Sequence, residues 1–331
     1  MSDAPPQRNL SGTVRPAEWQ PQTRVWVSPP HNEETWPGSG VLDRAQAQFG
    51  DFLDELSKVV EVADVGTHGI ATEDSWIRDY GPLFVLCHGV KRIRAFGFNA
   101  WGCKYGTGEL DAQTPAKIGR AMGFEVDAVP LVLEGGAIES DGRGTGMTTA
   151  SCLYHPSRNP GKTHAQIEQT VCEALGFERL LVLPGGDVPG DDTDGHVDNL
   201  VRFLTPELLA VCRAEASQPA YAVTEANWAA AEAAGGYELL PLPVPEPVEF
   251  EYPGDRWTPA RRELLPASHA NFLMCNGAVF VPVFGQPSDD VACQRLDDAL
   301  GPAWRIVPVR SEWLVVGQGG VHCLTQQECE V

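Results

Sequence analysis

The chain has 331 residues, of which 43% are hydrophobic, enough for a packed core in one large domain or two. Lys and Arg number 24 against 45 Asp and Glu, so the formal net charge is −21, which argues against a nucleic-acid-binding surface. The nine cysteines are odd in number and include no C-x-x-C pair, which argues against a secreted disulfide framework and a structural zinc site.

The N-terminal segment is polar and contains prolines, so we expect residues 1–14 to form a flexible tail ahead of a single domain at 15–331. This segment lacks the basic and apolar regions of a signal peptide, and no apolar run has the length of a membrane span. The sequence therefore predicts a soluble, reduced, cytoplasmic protein with neither a nucleic-acid nor a membrane partner.

A helical stretch followed by a short apolar strand recurs along the chain. Glycine turns recur with it: Leu131–Gly136 parallels Leu181–Gly186, and Leu314–Gly320 is a looser copy. Such repeats favour a closed five-unit α/β propeller, because each unit must bury its apolar face on a neighbour. A single doubly wound sheet would leave the glycine turns unexplained. The predicted helix–strand pairs are 41–59 with 60–65, 114–122 with 124–129, 163–175 with 180–183, 223–234 with 237–242, and 288–300 with 304–309.

Two carboxylates lie in short polar segments beside predicted strands. Asp79 belongs to Trp76–Pro82, just before a predicted strand at 83–86, and Glu134 lies between a predicted strand at 129–133 and two glycines. Each has an ordinary interpretation as an exposed turn residue, and composition alone leaves that interpretation open.

The acidic run Asp191–Asn199 has three interpretations. A calcium loop with Gly195 at its sixth position fails, because Gly190 and Val201 would occupy ligand positions without side-chain oxygens. A divalent-metal hydrolase with Asp and His ligands stays open, although it gives no role to the cysteine near the C-terminus. In a thiol enzyme, His196 is the better acid/base, and Asp198 would share its face in an extended segment.

The stretch from Pro241 to Pro266 is rich in proline and charge and interrupts the helix–strand pattern. Connecting segments of this kind usually lie on the surface. We therefore predict a surface excursion or a lid, and not a linker between domains.

Cys323 follows a strand-like run at Trp313–Val316 and a glycine-rich bend at 317–320. Glycine lets the backbone approach a ligand closely, so such a bend can present a thiol in a pocket. A free cysteine is by default a small buried hydrophobe, an interpretation that fits Cys275 and stays open for Cys323. In an extended segment the adjacent His322 would point to the opposite face, which favours a structural role for it.

Together these segments resemble the agmatine deiminases and the related bacterial peptidyl-arginine deiminases. The matching pieces occur in the family's order over nearly the whole chain, and the ordered set is much more specific than any single piece. The resemblance implies a single-domain, five-fold pseudosymmetric α/β propeller of the pentein type. The matching pieces are Pro16–Trp19, Trp76–Pro82, Gly97–Gly102, Leu133–Gly136, Asp192–Asn199, Asn271–Phe272 and Gly320–Gln327.

The resemblance also assigns roles to individual residues. It implies that Cys323 is the nucleophile, that His196 is the acid/base, and that Glu134 is its orienting carboxylate. Asp79 and Asp198 would hold a planar guanidinium, whose N–H groups match paired carboxylates in shape and charge. It implies no metal and no cofactor. The implied substrate-binding residues are Asp79, Asp198, Trp76, Trp101 and Asp192.

The predicted reaction is hydrolysis of agmatine to N-carbamoylputrescine and ammonia, a step of polyamine biosynthesis, through a covalent amidino-cysteine. The acidic cluster at 191–194 is a candidate site for the agmatine amine. The alternative is a deiminase of arginine or peptidyl-arginine, for which Arg78 is a candidate partner of the α-carboxylate. An amidinotransferase is less favoured, and the presence of Cys323 argues against a non-catalytic guanidinium-binding protein. The expected partners are a small cationic guanidine and, as a homodimer, a second copy of the chain.

The sequence departs from the family pattern at two positions in the bend before Cys323. Gln318 stands where a glycine is usual, and Gly320 stands where the agmatine enzymes often have an asparagine. These departures concern the part of the site expected to meet the substrate's tail.

Overall fold

The computed structural model describes residues 12–106, 108–254 and 259–331. The fold is mixed α/β, and five of its sheets share one topology. In each, two antiparallel strands are followed in space by a third strand that runs parallel to the central one, as expected for a strand–helix–strand crossover. All five predicted helix–strand pairs are confirmed, with boundaries shifted by a few residues.

The first sheet joins the beginning and the end of the described chain. Its central strand, Gln22–Val27, pairs in parallel with Glu61–Asp64 and antiparallel with the C-terminal strand Thr325–Cys329. The crossover helix is Val41–Leu56, and its buried positions recur every three or four residues, as an amphipathic helix requires. This pairing fixes the position of Cys323, because Cys323 lies two residues before the last strand.

The second sheet carries an additional short strand on its edge. Thr13–Val14 pairs antiparallel with Leu83–Cys87, so these two residues of the predicted tail belong to the sheet. Residues 1–11 of that tail lie outside the described residues. The sheet continues with Val90–Gly97 and Val126–Val132, connected through helix Thr114–Met122, which ends at Gly123 in the left-handed conformation.

The third, fourth and fifth sheets repeat this arrangement with one crossover helix each of 12 to 14 residues. The helix of the third begins at a capping box formed by Thr163 and Gln166, which satisfies two otherwise free backbone N–H groups. The elements are Glu139–Ser140, Thr145–Thr149, helix His164–Leu175 and Arg179–Leu183; Val201–Thr205, Leu208–Arg213, helix Tyr221–Ala234 and Glu238–Pro243; and Leu273–Cys275, Ala278–Val283, helix Pro287–Leu300 and Arg305–Arg310.

Short helical turns occupy several connections between the sheets. Asp79 lies in one such turn, and the predicted strand at Trp313–Val316 is wrong because part of that run forms another. A short apolar run fits a buried turn as well as a buried strand, and here Gly317 packs directly against the Trp36 indole. The short helices are Ile77–Tyr80, Ala100–Cys103 and Ala150–Leu153, and the 3-10 turns are Val65–His68, Asp111–Gln113, Gly135–Ala137, Val197–Asn199, Gly301–Ala303 and Val315–Gly317.

The predicted surface excursion contains a two-stranded antiparallel sheet, Glu249–Tyr252 with Arg261–Leu264. Residues 255–258 between these strands lie outside the described residues. Across the part of the chain that the structure describes, every helix is too short or too polar to span a membrane.

Candidate active site

A cavity of about 810 Å³ is lined by five of the residues that the sequence pointed to. Glu134, His196 and Asp198 are buried, each 0% exposed, and the His196 ring lies beside a carboxylate of the cavity wall. The structure therefore brings the sequence-predicted residues together around one cavity. The five that line it are Cys323, Asp79, Trp76, Trp101 and Asp192.

The buried groups of this site lie in connections between successive sheets. Asp79 precedes the first long strand of the second sheet, and Glu134 follows the last strand of that sheet. His196 and Asp198 precede the fourth sheet, and Cys323 lies between the fifth sheet and the C-terminal strand of the first. Because the topology repeats, these polar connections lie in the same region. Site residues that are far apart in the sequence therefore lie close together.

Asp79 is held by two hydrogen bonds. Trp101 Nε1 donates to its Oδ2 at 2.9 Å, and the backbone N–H of Gly136 donates to its Oδ1 at 3.0 Å. Burial, with Glu134 adding its negative charge, raises the pKa of Asp79 to about 7 despite the Trp101 hydrogen bond. Trp101 has a φ of 53°, an unfavourable left-handed conformation for a bulky residue, as found where a site fixes the backbone.

Asp198 is held on one side only. His322 Nδ1 lies 2.7 Å from its Oδ2, whereas its Oδ1 is buried and has no hydrogen-bond partner within the described chain. His322 Nε2 in turn lies 2.6 Å from Glu18 Oε2, so a buried imidazole bridges two carboxylates. Burial and the charge of Asp79 raise the pKa of Asp198 well above its usual range. Asp198 therefore keeps one buried oxygen whose hydrogen-bonding capacity no described residue satisfies.

His322 and Asp198 were predicted to lie in extended segments, and this geometry is wrong for both residues. His322 does have structural contacts, but it lies in a turn and not in an extended segment. Val197–Asn199 is likewise a 3-10 turn, so Asp198 does not share a face with His196 through strand alternation. Their proximity comes from the tertiary contacts of the turn.

His196 is fully buried, and neither ring nitrogen has a hydrogen-bond partner among the described residues. Its Nδ1 lies 3.6 Å from Asp79 Oδ1. A Cβ added at Gly136 would lie within 3 Å of His196, Asp79 and Asp198, so only glycine fits between these three groups. Burial, reinforced by Arg158, lowers the pKa of His196 well below its usual range, which leaves a neutral imidazole able to accept a proton.

Arg158 is a site residue that the sequence analysis missed. Its Nε lies 2.9 Å from both carboxylate oxygens of Glu134, and its Nη1 donates to Asp194 Oδ2 at 2.6 Å. Its Nη2 donates to the Thr193 carbonyl at 2.9 Å, so it ties Glu134 to the loop that carries His196. An isolated arginine in a loop carries no motif, and no pattern in the sequence pointed to it.

The metal alternative receives little support from the geometry. Within the described ranges, one group of potential ligands has its atoms within 4.8 Å of one another, and it consists of Glu134, Cys152 and His196. It contains no Asp, and the Arg158 guanidinium on Glu134 already places a positive charge there. Mutual repulsion of two cations disfavours a metal ion at this position.

The acidic run contributes one carboxylate to the cavity wall. Asp192 lines the cavity and accepts a hydrogen bond from the Tyr105 hydroxyl at 2.6 Å. Burial and the neighbouring charge of Asp191 raise the pKa of Asp192 to about 7. Asp191 itself accepts hydrogen bonds from within its own loop, and Asp194 is paired with Arg158. The structure thus narrows the candidate amine site from three aspartates to Asp192.

The Cys323 thiol lines the cavity and is only 5% exposed. The side-chain amide of Asn271 donates to its Sγ at 3.3 Å. The sequence identified Asn271–Phe272 as a motif but did not predict this contact. Burial, with the nearby carboxylates of Asp198 and Asp79, raises the pKa of the thiol well above its usual range. A cation in the cavity would oppose this effect.

We expect the substitution Arg158→Gln to destabilise the protein by about 3 kcal/mol or more, because it leaves the Glu134 carboxylate buried without its ion-pair partner. The measurement is the free energy of unfolding in urea. The control is Arg143→Gln, whose partner Glu207 is similarly exposed on the surface, and we expect no measurable change there. Equal unfolding midpoints for the two variants would contradict the structural importance of the Arg158–Glu134 pair.

The sequence matches the model of the Porphyromonas-type peptidyl-arginine deiminase family over residues 14–329. It is 32% identical, over 99% of each chain, to a Vibrio parahaemolyticus protein provisionally named an agmatine deiminase. The fold is similar to that of a serine-for-cysteine variant of C. jejuni agmatine deiminase with substrate bound, with a TM-score of 0.87, 27% identity and 96% of each chain covered. It is also similar to the agmatine deiminase of Enterococcus faecalis, with a TM-score of 0.88, 27% identity and 97% of each chain covered.

These matches extend over the same ordered motifs that carried the resemblance in the sequence. The family match spans nearly all of the described residues and includes every residue of the site. The chain therefore belongs to the Porphyromonas-type peptidyl-arginine deiminase family.

Proposed function

We propose that this protein is a deiminase that hydrolyses agmatine to N-carbamoylputrescine and ammonia, with Cys323 as the nucleophile. The observation that carries the proposal is a set of buried groups around Asp79 that have no hydrogen-bond partner among the described residues. These are Asp198 Oδ1 and both ring nitrogens of His196. Buried polar atoms without partners are rare in native proteins, and here they lie close to Asp79, which lines a cavity that a cationic ligand could enter.

The two aspartates supply the carboxyl groups that guanidinium recognition needs, and a bound cation would favour their ionised form. Asp79 presents its carboxylate at the cavity wall, and Asp198 has a free oxygen close to it. A guanidinium supplies N–H donors in a rigid plane, and each charge-assisted hydrogen bond contributes roughly 1.5–3 kcal/mol. We propose that binding fixes the central carbon of the guanidinium near Cys323 Sγ.

The proposed reaction has two covalent stages. The thiol proton passes to His196, the sulfur attacks the guanidinium carbon, and His196 returns the proton to the departing amino group, which leaves as ammonia. This step forms a carbon–sulfur bond and breaks a carbon–nitrogen bond, so the amidino-cysteine keeps the substrate's tail. Water deprotonated by His196 then attacks the same carbon, the carbon–sulfur bond breaks, and the ureido product leaves. One water is consumed and one ammonia is released.

The environment of Arg78 supports agmatine over free arginine. A site for arginine would need a cation for the α-carboxylate, and Arg78 was the candidate in the sequence. In the structure Arg78 is buried, lies 3.6 Å from Glu18 Oε2 and donates to the His322 carbonyl, away from the cavity lining. Asp192 places a carboxylate in the wall, which suits the amine of agmatine, whereas the lining cations Lys104 and Arg261 are paired with Asp194 and Glu263.

We also propose that the five sheets close into a pentein-type propeller that forms one domain over residues 15–331. The five-fold repetition of one topology supports this, and so does the pairing of Thr325–Cys329 with Gln22–Val27, which joins the last unit to the first. The homodimer and the cytoplasmic location stay predictions from the sequence.

The function is tested by incubating the purified protein with agmatine, arginine and an arginyl peptide and measuring ammonia and ureido product. We expect agmatine to have a kcat/KM at least about 100-fold above that of arginine, because a carboxylate tail would face Asp192. A preference for arginine or for the peptide would favour the alternative. Product formation that needs an added amine would instead indicate an amidinotransferase.

A further inference from the structure

Gln318 occupies a strained position in the cavity wall. Its φ is 75°, a left-handed backbone that costs energy for a residue with a Cβ. The glycines on either side pack against aromatic rings, Gly317 against Trp36 and Gly319 against Trp76, so the chain has little room to relax. A residue held in this conformation beside a ligand cavity suggests that its side chain has a use there.

The orientation of the Gln318 amide follows from its neighbour Tyr252. The Tyr252 hydroxyl donates its single proton to the Val316 carbonyl at 2.7 Å, so towards Gln318 it can only accept. Gln318 Nε2 donates to this hydroxyl at 2.9 Å. The amide oxygen Oε1 is consequently on the other side, buried and without a hydrogen-bond partner among the described residues.

An unpaired buried acceptor is costly unless a ligand supplies the donor. Gln318, Tyr252 and Asp192 line the same cavity as Cys323. A group with several N–H donors and a positive charge would satisfy the amide oxygen and be attracted by the Asp192 carboxylate. A primary ammonium has three such donors, enough for a hydrogen bond to each of these acceptors.

We propose that Gln318 Oε1 accepts a hydrogen bond from the ammonium group at the far end of the substrate. Gln318 is then a specificity-determining residue that selects guanidines with an amine tail. The inference rests on the proposed function, since it concerns the tail of the same substrate. Tyr252, the last residue of strand Glu249–Tyr252, acts as a positioning residue because it holds the amide in the accepting orientation.

The test compares agmatine with butylguanidine, which has the same guanidinium and four-carbon chain but no amine. In Gln318→Met we expect kcat/KM for agmatine to fall roughly 10- to 100-fold, the range for a hydrogen bond to a charged group. The value for butylguanidine should change by less than about twofold. Equal losses for both compounds, or no loss for agmatine, would overturn the inference.

A second variant separates the effect on binding from any effect on folding. Gln318→Gly removes the amide and relieves the left-handed strain, so we expect the Tm to rise by about 2 °C while the agmatine-selective loss persists. The matched control is Gln294→Met, an exposed glutamine of helix Pro287–Leu300, which should leave both substrates unaffected. If Gln318→Gly kept full agmatine activity, the amide would have no role in tail recognition.

The two possible failures are distinguishable. A wild-type protein that releases no ammonia from agmatine contradicts the proposed function, and the inference falls with it. A wild-type protein that is active on agmatine, with a Gln318→Met variant that does not discriminate between the two compounds, contradicts the inference alone.

Discussion

Replacing Cys323 with serine is expected to lower ammonia release from agmatine by roughly four to six orders of magnitude, as for other enzymes deprived of their nucleophile. A hydroxyl of the same shape lacks the nucleophilicity of a thiolate and remains protonated in this buried site. Agmatine binding should stay measurable by calorimetry, because Asp79 and Asp198 are unchanged. The measurement is kcat together with the dissociation constant.

Cys152 provides the control for this substitution. It is buried, and its sulfur lies within 4.8 Å of ligand atoms of Glu134 and His196, but it does not line the cavity. We expect Cys152→Ala to keep turnover within about tenfold of wild type, provided that thermal unfolding shows a folded protein. If Cys152→Ala lost turnover and Cys323→Ser retained it, Cys152 and not Cys323 would be the nucleophile.

The Cys323 thiol is expected to ionise at much lower pH when a cation occupies the cavity. In the empty site burial and the carboxylates of Asp198 and Asp79 raise the pKa of the thiol, so little thiolate is present at neutral pH. A cation about 4 Å away, at an effective dielectric constant near 20, favours the thiolate by roughly 4 kcal/mol, or about three pKa units. The substrate's own charge would therefore generate the nucleophile.

The measurement is the rate of Cys323 alkylation against pH, with and without acetamidinium, a cation small enough to leave the sulfur accessible. The rate profile should move to lower pH by about three units, which at a fixed pH below both midpoints is about a 1000-fold increase. The exposed Cys103 serves as the reference thiol in the same sample, and acetamidinium should not change its rate. A thiolate pKa near 6 in the free protein would refute substrate-assisted ionisation.

The five predicted helix–strand pairs were confirmed because their signal is local. Helix Val41–Leu56 buries positions spaced three or four residues apart, and this periodicity is written in the sequence whatever the helix packs against. The strand predicted at Trp313–Val316 was wrong because a short apolar run has no periodicity that distinguishes a buried turn from a buried strand. The site motifs could be identified for a different reason: their order along the chain matches a known family.

The sequence by itself determined the five helix–strand pairs, the strong negative charge and the set of residues around Cys323. Only the tertiary structure decided how these residues are held: that Arg158 binds Glu134, that His322 joins Asp198 to Glu18, and that Asp192 supplies the carboxylate of the acidic run that lines the cavity. The physical reason is distance along the chain. Glu18 and His322 are 304 residues apart, and no local pattern encodes a contact that exists only once the first and last strands pair in one sheet.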